Sequence, residues 1–477
     1  MITQQSEDFS KWYNELVLQA GLADYAPIKG CMIIKPYGYA IWENIQKIMD
    51  VKIKKLGVNN VYFPLFIPER FFKKEAEHVE GFNPQVAWVT IGGGKKLEEK
   101  LAIRPTSETV MYDSFSNWIH SHRDLPLKVN QWANIVRWEM RPRLFLRTME
   151  FLWQEGHTAH ATEKEADEMT REALNMYNNF AKEYLGIYCV LGKKTDAEKF
   201  AGANYTLCVE ALMKDHKALQ MGTSHQLGQG FAKSFNIQFS DEKGNKNYVW
   251  QTSWGVSTRM IGGMVMAHGD DKGLVLPPKL AQYPVVIIPI SYDVKTLKYI
   301  EKIEKILEDK QINYFVDKNE QQSPGWKFHE WELKGAPLRI EIGPKEVKEN
   351  KITYVLRDVL KKENISLKQF SPEKLLDAMQ KRLYETSKKF TIENTHAVKT
   401  YDEFKKTLEE KGGFIKAHWC GDTKCEKEIQ NETKATIRCI PFDVGKPASH
   451  RQATASRGGC IKCAKEGKYE VLFAKSY

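Results

Sequence analysis

The stretch RWEMRPRLFLRTMEFLWQEGHTAH, residues 137–160, constrains the fold of this 477-residue chain more than any other. Arg137 and Glu139 close an apolar run, a basic turn follows, and then comes Phe-Leu-Arg-Thr and a second, aromatic-rich run. The pattern reads as a strand, a loop and a returning strand that carry arginines toward one spot. The planar guanidinium fork suits phosphate and carboxylate oxygens, so such a hairpin is a candidate floor for a nucleotide. An amphipathic hairpin with surface ion pairs fits the same letters, because exposed ion pairs are common and weak.

Length excludes a single core, since chains of this size divide into several domains. No run approaches the roughly 18 apolar residues of a membrane helix. The N-terminus MITQQSEDFSKWYNEL lacks the basic start and apolar centre of a secretion signal. Cytoplasmic residence is the expectation, with no membrane partner. A formal charge of +10 suits a polyanion, although it is a weak indicator by itself. Eight cysteines in a cytosolic chain argue against disulfides. Four of them form two hooks, Cys420-x4-Cys425 and Cys460-x2-Cys463. Paired hooks let four thiolates meet around a tetrahedral zinc; free thiols are the alternative. Cys439, in an apolar stretch, reads as core. His157 and His160 lack a third ligand nearby and read as structural.

Apolar residues at Ile41, Ile45, Ile48, Met49, Ile53 and Leu56 predict a helix over 36–56 stopped by Gly57, and a strand over 61–63 ends at Pro64. Thr162 with Glu165 makes a capping box for a helix running to Gly186. Strands are expected over 188–191, 235–239 and 248–252. Together these fit an antiparallel sheet flanked by helices, an α+β domain. Proline punctuation marks 274–284 as a linker. Beyond it, strands over 285–290, 312–316, 338–342 and 352–356, with a helix from Val294 to Leu307, predict a mostly parallel α/β unit. The cysteine-bearing end forms a third. The expected divisions are 1–280, 281–390 and 391–477.

Three further segments, LAIRPTSE (101–108), QMGTSH (220–225) and WQTSWGVSTR (250–259), complete a pattern with the arginine hairpin. In this order and spacing the chain resembles the class II aminoacyl-tRNA synthetases, specifically the prolyl-tRNA synthetases. The segment between Gly156 and Trp250 has no room for an editing insertion. That and the C-terminal extension resemble the archaeal–eukaryotic type, although the 140–146 loop is a residue shorter than in the eukaryotic members.

The resemblance implies an ATP-dependent ligase that attaches L-proline to tRNA(Pro) through a prolyl-adenylate. It implies a class II antiparallel-sheet catalytic domain, an α/β anticodon-binding domain and a small zinc-binding α/β C-terminal domain. ATP with Mg2+ and a structural Zn2+ on Cys420, Cys425, Cys460 and Cys463 are the expected cofactors, and a homodimer built on the 36–64 segment is the expected assembly. Arg137 and Arg259 would be catalytic. ATP would meet Arg137, Glu139, Arg147, Thr148, Phe151, Gln220, Thr223 and Arg259, with Phe151 and Arg259 sandwiching the adenine. Proline would meet Thr106, Glu108, Arg137, Trp153, Phe200, His225, Ser253 and Gly255. A secondary ammonium needs a carboxylate and a hydroxyl, which Glu108 and Thr106 offer. Phe328, Glu332 and Arg339 resemble the anticodon readers; an ordinary surface ion pair is the alternative for the last two. Two rivals differ at definite residues. A non-catalytic relative would lack Arg137, Glu139 or Arg259, and a threonine-specific enzyme would need a Cys/His set among the catalytic segments.

Overall fold

The computed structural model describes residues 2–76, 86–138, 142–442 and 458–477. The catalytic part is built on strands β1 (Asn59–Asn60), β2 (Leu127–Val136), β3 (Glu150–His160), β4 (Cys189–Lys193), β5 (Tyr205–Leu212), β6 (Ala218–Gly228) and β7 (Trp250–Ser257). They lie in the order β4-β5-β6-β7-β3-β2-β1. Every pairing is antiparallel except the edge pair β1–β2. The arginine hairpin is therefore β2–β3, with Val136 opposite Glu150.

Helices α1 (Pro36–Lys55), α2 (Glu108–Trp118), α3 (Glu163–Phe180) and α4 (Arg259–His268), together with an N-terminal helix at Phe9–Gln19, belong to this part. In α1 the stripe Ile41, Ile45, Met49 and Ile53 is buried. Proline at its first position has no N–H to leave unbonded. Gly57, at φ +75°, ends the run in a conformation that β-carbons disfavour. The Thr162–Glu165 capping box opens α3 as expected. The strand expected over 61–63 is instead the two residues of β1. Val61 adds one bond, to the Asn130 carbonyl (2.8 Å), and the Phe63 N–H turns to the Gln131 side chain. Proline at 64 has no donor to continue the ladder. In place of one strand over 235–239 the chain forms a short helix, Gly230–Ser234, and then a strand at Gln238–Ser240.

β3 is buried from Gln154 to His160 although most of those residues are polar. Burial of polar groups costs unless each finds a partner, and lateral bonds supply them. Tyr177 donates to Gln154 (2.6 Å), Gln131 donates to Glu155 (2.9 Å), and Thr158 pairs with Thr252 (2.6 Å) and His160 (2.8 Å). Gly156 faces Trp254 across the ladder, where a β-carbon would stand 2.2 Å from the indole. Glycine there lets the Trp254 ring lie flat on the strand.

The linker over 274–284 is not a solvated connector. Leu274, Leu276, Leu280 and Ala281 belong to the catalytic core, while Val275 packs with the next domain. That domain holds β8 (Val285–Pro289), α5 (Val294–Asp309), β9 (Tyr314–Val316), α6 (Pro324–Leu333), β10 (Leu338–Ile342), β11 (Lys351–Leu356), β12 (Lys362–Ser366) and α7 (Pro372–Glu393). The sheet order is β9-β8-β10-β11-β12. β8 runs parallel to β9 and β10, but β10–β11 and β11–β12 are antiparallel. The sheet is mixed, not mostly parallel, because β10, β11 and β12 follow one another through short connections that turn the chain back.

The last unit comprises β13 (Thr395–Ala397), a helix at Tyr401–Glu410, β14 (Phe414–Trp419), α8 (Thr423–Thr433), β15 (Thr436–Pro441) and β16 (Tyr469–Ala474). Its strands lie in the order β13-β14-β16-β15, and β15 pairs antiparallel with β4. The catalytic and C-terminal sheets are thus one continuous sheet of eleven strands among the described residues.

Candidate active site

A cleft of about 280 Å³ opens over β3, β6 and β7. Phe151, Trp153, Glu155 and His157 all face it, which is the two-residue alternation of β3. Thr106, Glu108, Arg137, Phe200, Gln220, Thr223, His225, Ser253, Gly255 and Arg259 line it as well. Arg147 and Thr148 line a smaller adjoining cavity of about 50 Å³, shared with Arg137, Phe151 and Arg259. The sequence-predicted residues therefore converge, apart from Glu139, which lies outside the described residues. β2 ends at Val136. Arg137 follows, with one more ladder bond from its N–H to Met149 (2.8 Å).

One end of the cleft is acidic. Glu108 opens α2 and is 3% exposed, with the Thr106 hydroxyl donating to it. Glu155, 2% exposed, accepts from Ser107 and from Gln131. His157 lies between them, bonded to Glu155 (3.1 Å) and to the Tyr112 hydroxyl (3.1 Å). Burial alone would depress the His157 imidazole, but the Glu155 hydrogen bond and the charges of Glu108 and Glu155 overcome it and raise its pKa. Glu108 and Glu155 thus place two buried carboxylates at this end, with His157 hydrogen-bonded to one of them. The ring walls are Trp153 and the Phe200–His225 pair, whose centroids are 4.7 Å apart. His225 is held by Thr206 (2.9 Å) and, through burial and then the nearby His157, has its pKa lowered to about 3, so it stays neutral. The Ser253 hydroxyl and the Trp153 indole N–H are buried and make no hydrogen bond to the protein. Unsatisfied buried polar groups are costly, and in a cleft they mark positions for a ligand's polar atoms.

The other end is basic. The Arg137 guanidinium lies 5.6 Å from the Phe151 ring centroid and 5.7 Å from that of Trp153, with its Nε–H on the Pro105 carbonyl (3.1 Å). Arg259 begins α4, and its Nε–H holds the Leu146 carbonyl (3.2 Å). Burial, with Arg137 nearby, lowers its pKa to about 10, which still leaves it charged near neutrality. The arrangement offers charge neutralisation at one end and a cation site at the other.

The sequence reading missed Glu155, Lys194, Glu198, Lys199 and Thr206, all of which line the cleft. Period-two alternation from Trp153 would have found Glu155. The other four sit on β5 and the loop before it, and no local pattern marked them. His157 had been read as structural, and it does bridge two buried side chains.

The other two predicted clusters also assemble. The Arg339 guanidinium lies 4.7 Å from the Phe328 ring centroid, 3.8 Å from Glu332 and 3.1 Å from Glu341. Glu341, not anticipated, also binds Lys362 (2.5 Å). The sulfurs of Cys420, Cys425, Cys460 and Cys463 lie within 4.8 Å of one another. Cys439 is fully buried between the catalytic and C-terminal units.

Comparisons with known proteins agree with this layout. Residues 88–268 match the tRNA synthetase class II core domain (G, H, P, S and T), 284–375 an anticodon binding domain, and 401–477 the C-terminal domain of prolyl-tRNA synthetase. A proline--tRNA ligase of Chlorobium luteolum is 52% identical over 481 residues, covering 100% of this chain and 99% of that protein. One from Natranaerobius thermophilus is 48% identical, covering 100% and 98%. Among solved structures, prolyl-tRNA synthetase of Cryptosporidium parvum with halofuginone and AMPPNP superimposes at TM-score 0.93 with 42% identity, covering 100% of this chain and 97% of that one. The same protein with L-proline and AMP gives 0.93 and 41%, covering 100% and 96%.

Proposed function

Because the chain belongs to the prolyl-tRNA synthetases and is a proline--tRNA ligase, we propose that it joins proline to tRNA(Pro) through a prolyl-adenylate formed in the β3–β6–β7 cleft. The observation that carries this reading is the polarity of the cleft, with Glu108 and Thr106 at one end and Arg137 and Arg259 at the other. The C. parvum relative holds L-proline with AMP, which supports placing both substrates in one cleft.

The proline ammonium donates to Glu108 and Thr106, and its ring sits among Trp153, Phe200 and His225, with Ser253 and Gly255 beneath. Its carboxylate attacks the α-phosphorus and pyrophosphate leaves. Arg137 bridges carboxylate and α-phosphate, while Arg147, Thr148, Gln220, Thr223 and Arg259 hold the phosphates and ribose. Phe151 carries the adenine. A terminal ribose hydroxyl of the tRNA then attacks the acyl carbon and AMP leaves. No protein nucleophile is needed, so catalysis rests on positioning and on neutralising phosphate charge. Mg2+ comes as part of the nucleotide complex, since it is usually bound through substrate phosphates.

Phe328, Glu332 and Arg339 read the anticodon. Guanine offers O6 and N7 to an arginine fork, and an unpaired base stacks on an aromatic ring. Four thiolates about 2.3 Å from one zinc stand about 3.8 Å apart. The Cys420–Cys463 separation of 3.8 Å fits that set. Four protein ligands leave no open position, so Zn2+ supplies a cross-link and no chemistry. Tyr62 (76% exposed), Ile28 (65%) and Phe66 (47%), which lie before and after α1 in the sequence, are exposed apolar side chains that support a homodimer built on this segment. Among the described residues no helix is long and apolar enough to cross a membrane, and we assign the enzyme to the cytoplasm. The divisions 1–280, 281–390 and 391–477 stand as proposed domains.

With no editing insertion, exclusion of alanine and cysteine rests on this pocket, where a methylene is worth about 1–3 kcal/mol. ATP–pyrophosphate exchange over the amino-acid panel, without tRNA, tests the reading. Proline should drive exchange strongly and alanine or cysteine weakly. Proline charging without any tRNA-independent exchange would remove the free adenylate.

A further inference from the structure

β4 ends at Lys193, and the following residues leave the sheet to become one wall of the cleft, where Lys194, Glu198, Lys199 and Phe200 face the cavity. The C-terminal unit grips the root of this wall in three ways. β15 pairs with β4, with Ile440 opposite Lys193 and Pro441 opposite Gly192. A β-carbon at Gly192 would stand 2.6 Å from the Cys439 β-carbon and from the Ile440 carbonyl, so glycine permits the approach. Lys194, 3% exposed, donates to the Arg438 carbonyl (2.7 Å) and to Glu210 (2.7 Å), and the Arg438 guanidinium binds the same Glu210 at 3.1 Å. Thr195, also buried, donates from its hydroxyl to Glu426 of α8 (2.7 Å). Beyond Thr195 the Phe200 ring packs on His225, within the catalytic unit. The Lys199 N–H reaches the Thr195 carbonyl (2.9 Å), and the Phe200 N–H reaches Thr206 (2.9 Å).

We propose that the C-terminal unit is a specificity element of the amino-acid site, acting through Glu426 and Thr195, which are positioning residues for the wall that ends in Phe200. The arginines of the other end lie elsewhere: Arg137 follows β2, Arg147 precedes β3 and Arg259 begins α4, so none is on the wall that Thr195 anchors. Losing the latch therefore loosens the amino-acid end alone. The inference rests on Phe200 being a wall of the proline pocket.

Steady-state exchange kinetics on the full-length enzyme separate the possibilities. Thr195→Val keeps the side-chain shape and removes the hydroxyl. It should raise the KM for proline about three- to tenfold, the scale of one hydrogen bond, with the KM for ATP unchanged. Glu426→Ala should do the same, and the double variant should be no worse than either single one, because both break one contact. Thr195→Ser and Glu426→Gln, which retain a donor and an acceptor, should restore the proline KM. A merely structural contact would instead lower the melting temperature with both KM values unmoved, and that result overturns the proposal. Phe200→Ala is the control. If it leaves the proline KM unchanged, the wall assignment fails and takes the latch with it. If it raises the proline KM while Thr195→Val does not, the wall stands and the latch falls.

Discussion

Glu108→Gln isolates the charge on which proline recognition is proposed to rest. The amide keeps the volume of the carboxylate and an oxygen for the Thr106 hydroxyl, so packing at the start of α2 survives. The electrostatic balance does not. Glu108 is a buried carboxylate lining the cleft, and the substitution removes its charge from the ammonium's place. Breaking a buried ion pair by neutralising one partner costs about 3–5 kcal/mol. The cleft opens to solvent on one side, which favours the lower figure. About 3 kcal/mol corresponds to roughly two decades in kcat/KM for proline. The assay is proline-dependent ATP–pyrophosphate exchange with each substrate varied in turn. The KM for ATP should stay within about twofold, because Glu108 is at the far end from Arg137 and Arg259. A loss of less than about threefold in kcat/KM for proline would refute the assignment of Glu108 as the ammonium's partner. Equal loss for both substrates would show that the change has disturbed the fold of α2.

The other expectations are independent of this one. Arg339→Ala should weaken tRNA charging by about 1–3 kcal/mol, the value of a bidentate base contact, with pyrophosphate exchange intact; parallel loss of both activities would count against an anticodon role. The purified protein should hold about one zinc per chain, and Cys420→Ser should lower both zinc content and melting temperature before it changes exchange kinetics. A metal-free protein of undiminished stability would contradict this. Burial lowers His160 and His268 to about 4 and His225 to about 3, so all three are neutral in the fold. Their contribution is fully present above the unfolded value near 6.5 and is lost as pH falls toward those folded values, at about 1.4 kcal/mol per pH unit for each. His157 has the opposite sign, since its raised pKa adds stability below 6.5 that is lost as pH rises through the folded value. The melting temperature should accordingly fall on acidification from pH 6.5 toward 4, and a flat profile over that window would contradict the burial of these rings as neutral species.

Local signals decided much of what the sequence disclosed. The α1 stripe, the Thr162 capping box, the five residues of β10 and the hairpin β2–β3 each follow from periodicity or capping over short distances, and the structure has them. The cleft residues were found because motif words on α2, β3, β6 and β7 are long enough to be specific. What escaped depends on contacts between segments far apart in the chain. Nothing within 274–284 reveals that Leu274 and Leu280 are core, because their neighbours come from the catalytic domain. Residues 194–200 carry no periodicity, and their place in the cleft wall is set by β15 and α8. The union of two sheets through β4 and β15 is invisible to any window of ordinary length. The parallel character of the second domain was overestimated because strand–helix alternation does not report the direction in which β11 and β12 return.

The single eleven-stranded sheet bears on how the chain is made. β4 gains its outer neighbour only when β15 has been synthesised, about 245 residues later, which at roughly 5–20 residues per second is on the order of 10–50 s. Through that interval the catalytic half emerges with an open sheet edge, and such edges recruit strands from other chains. Ala218 likewise waits for the last residues, since its N–H binds the Lys475 carbonyl (2.9 Å). The catalytic core cannot be sealed from the first two-thirds of the polypeptide, and a nascent chain stalled before Thr436 is expected to be a substrate for chaperones rather than a smaller, working enzyme.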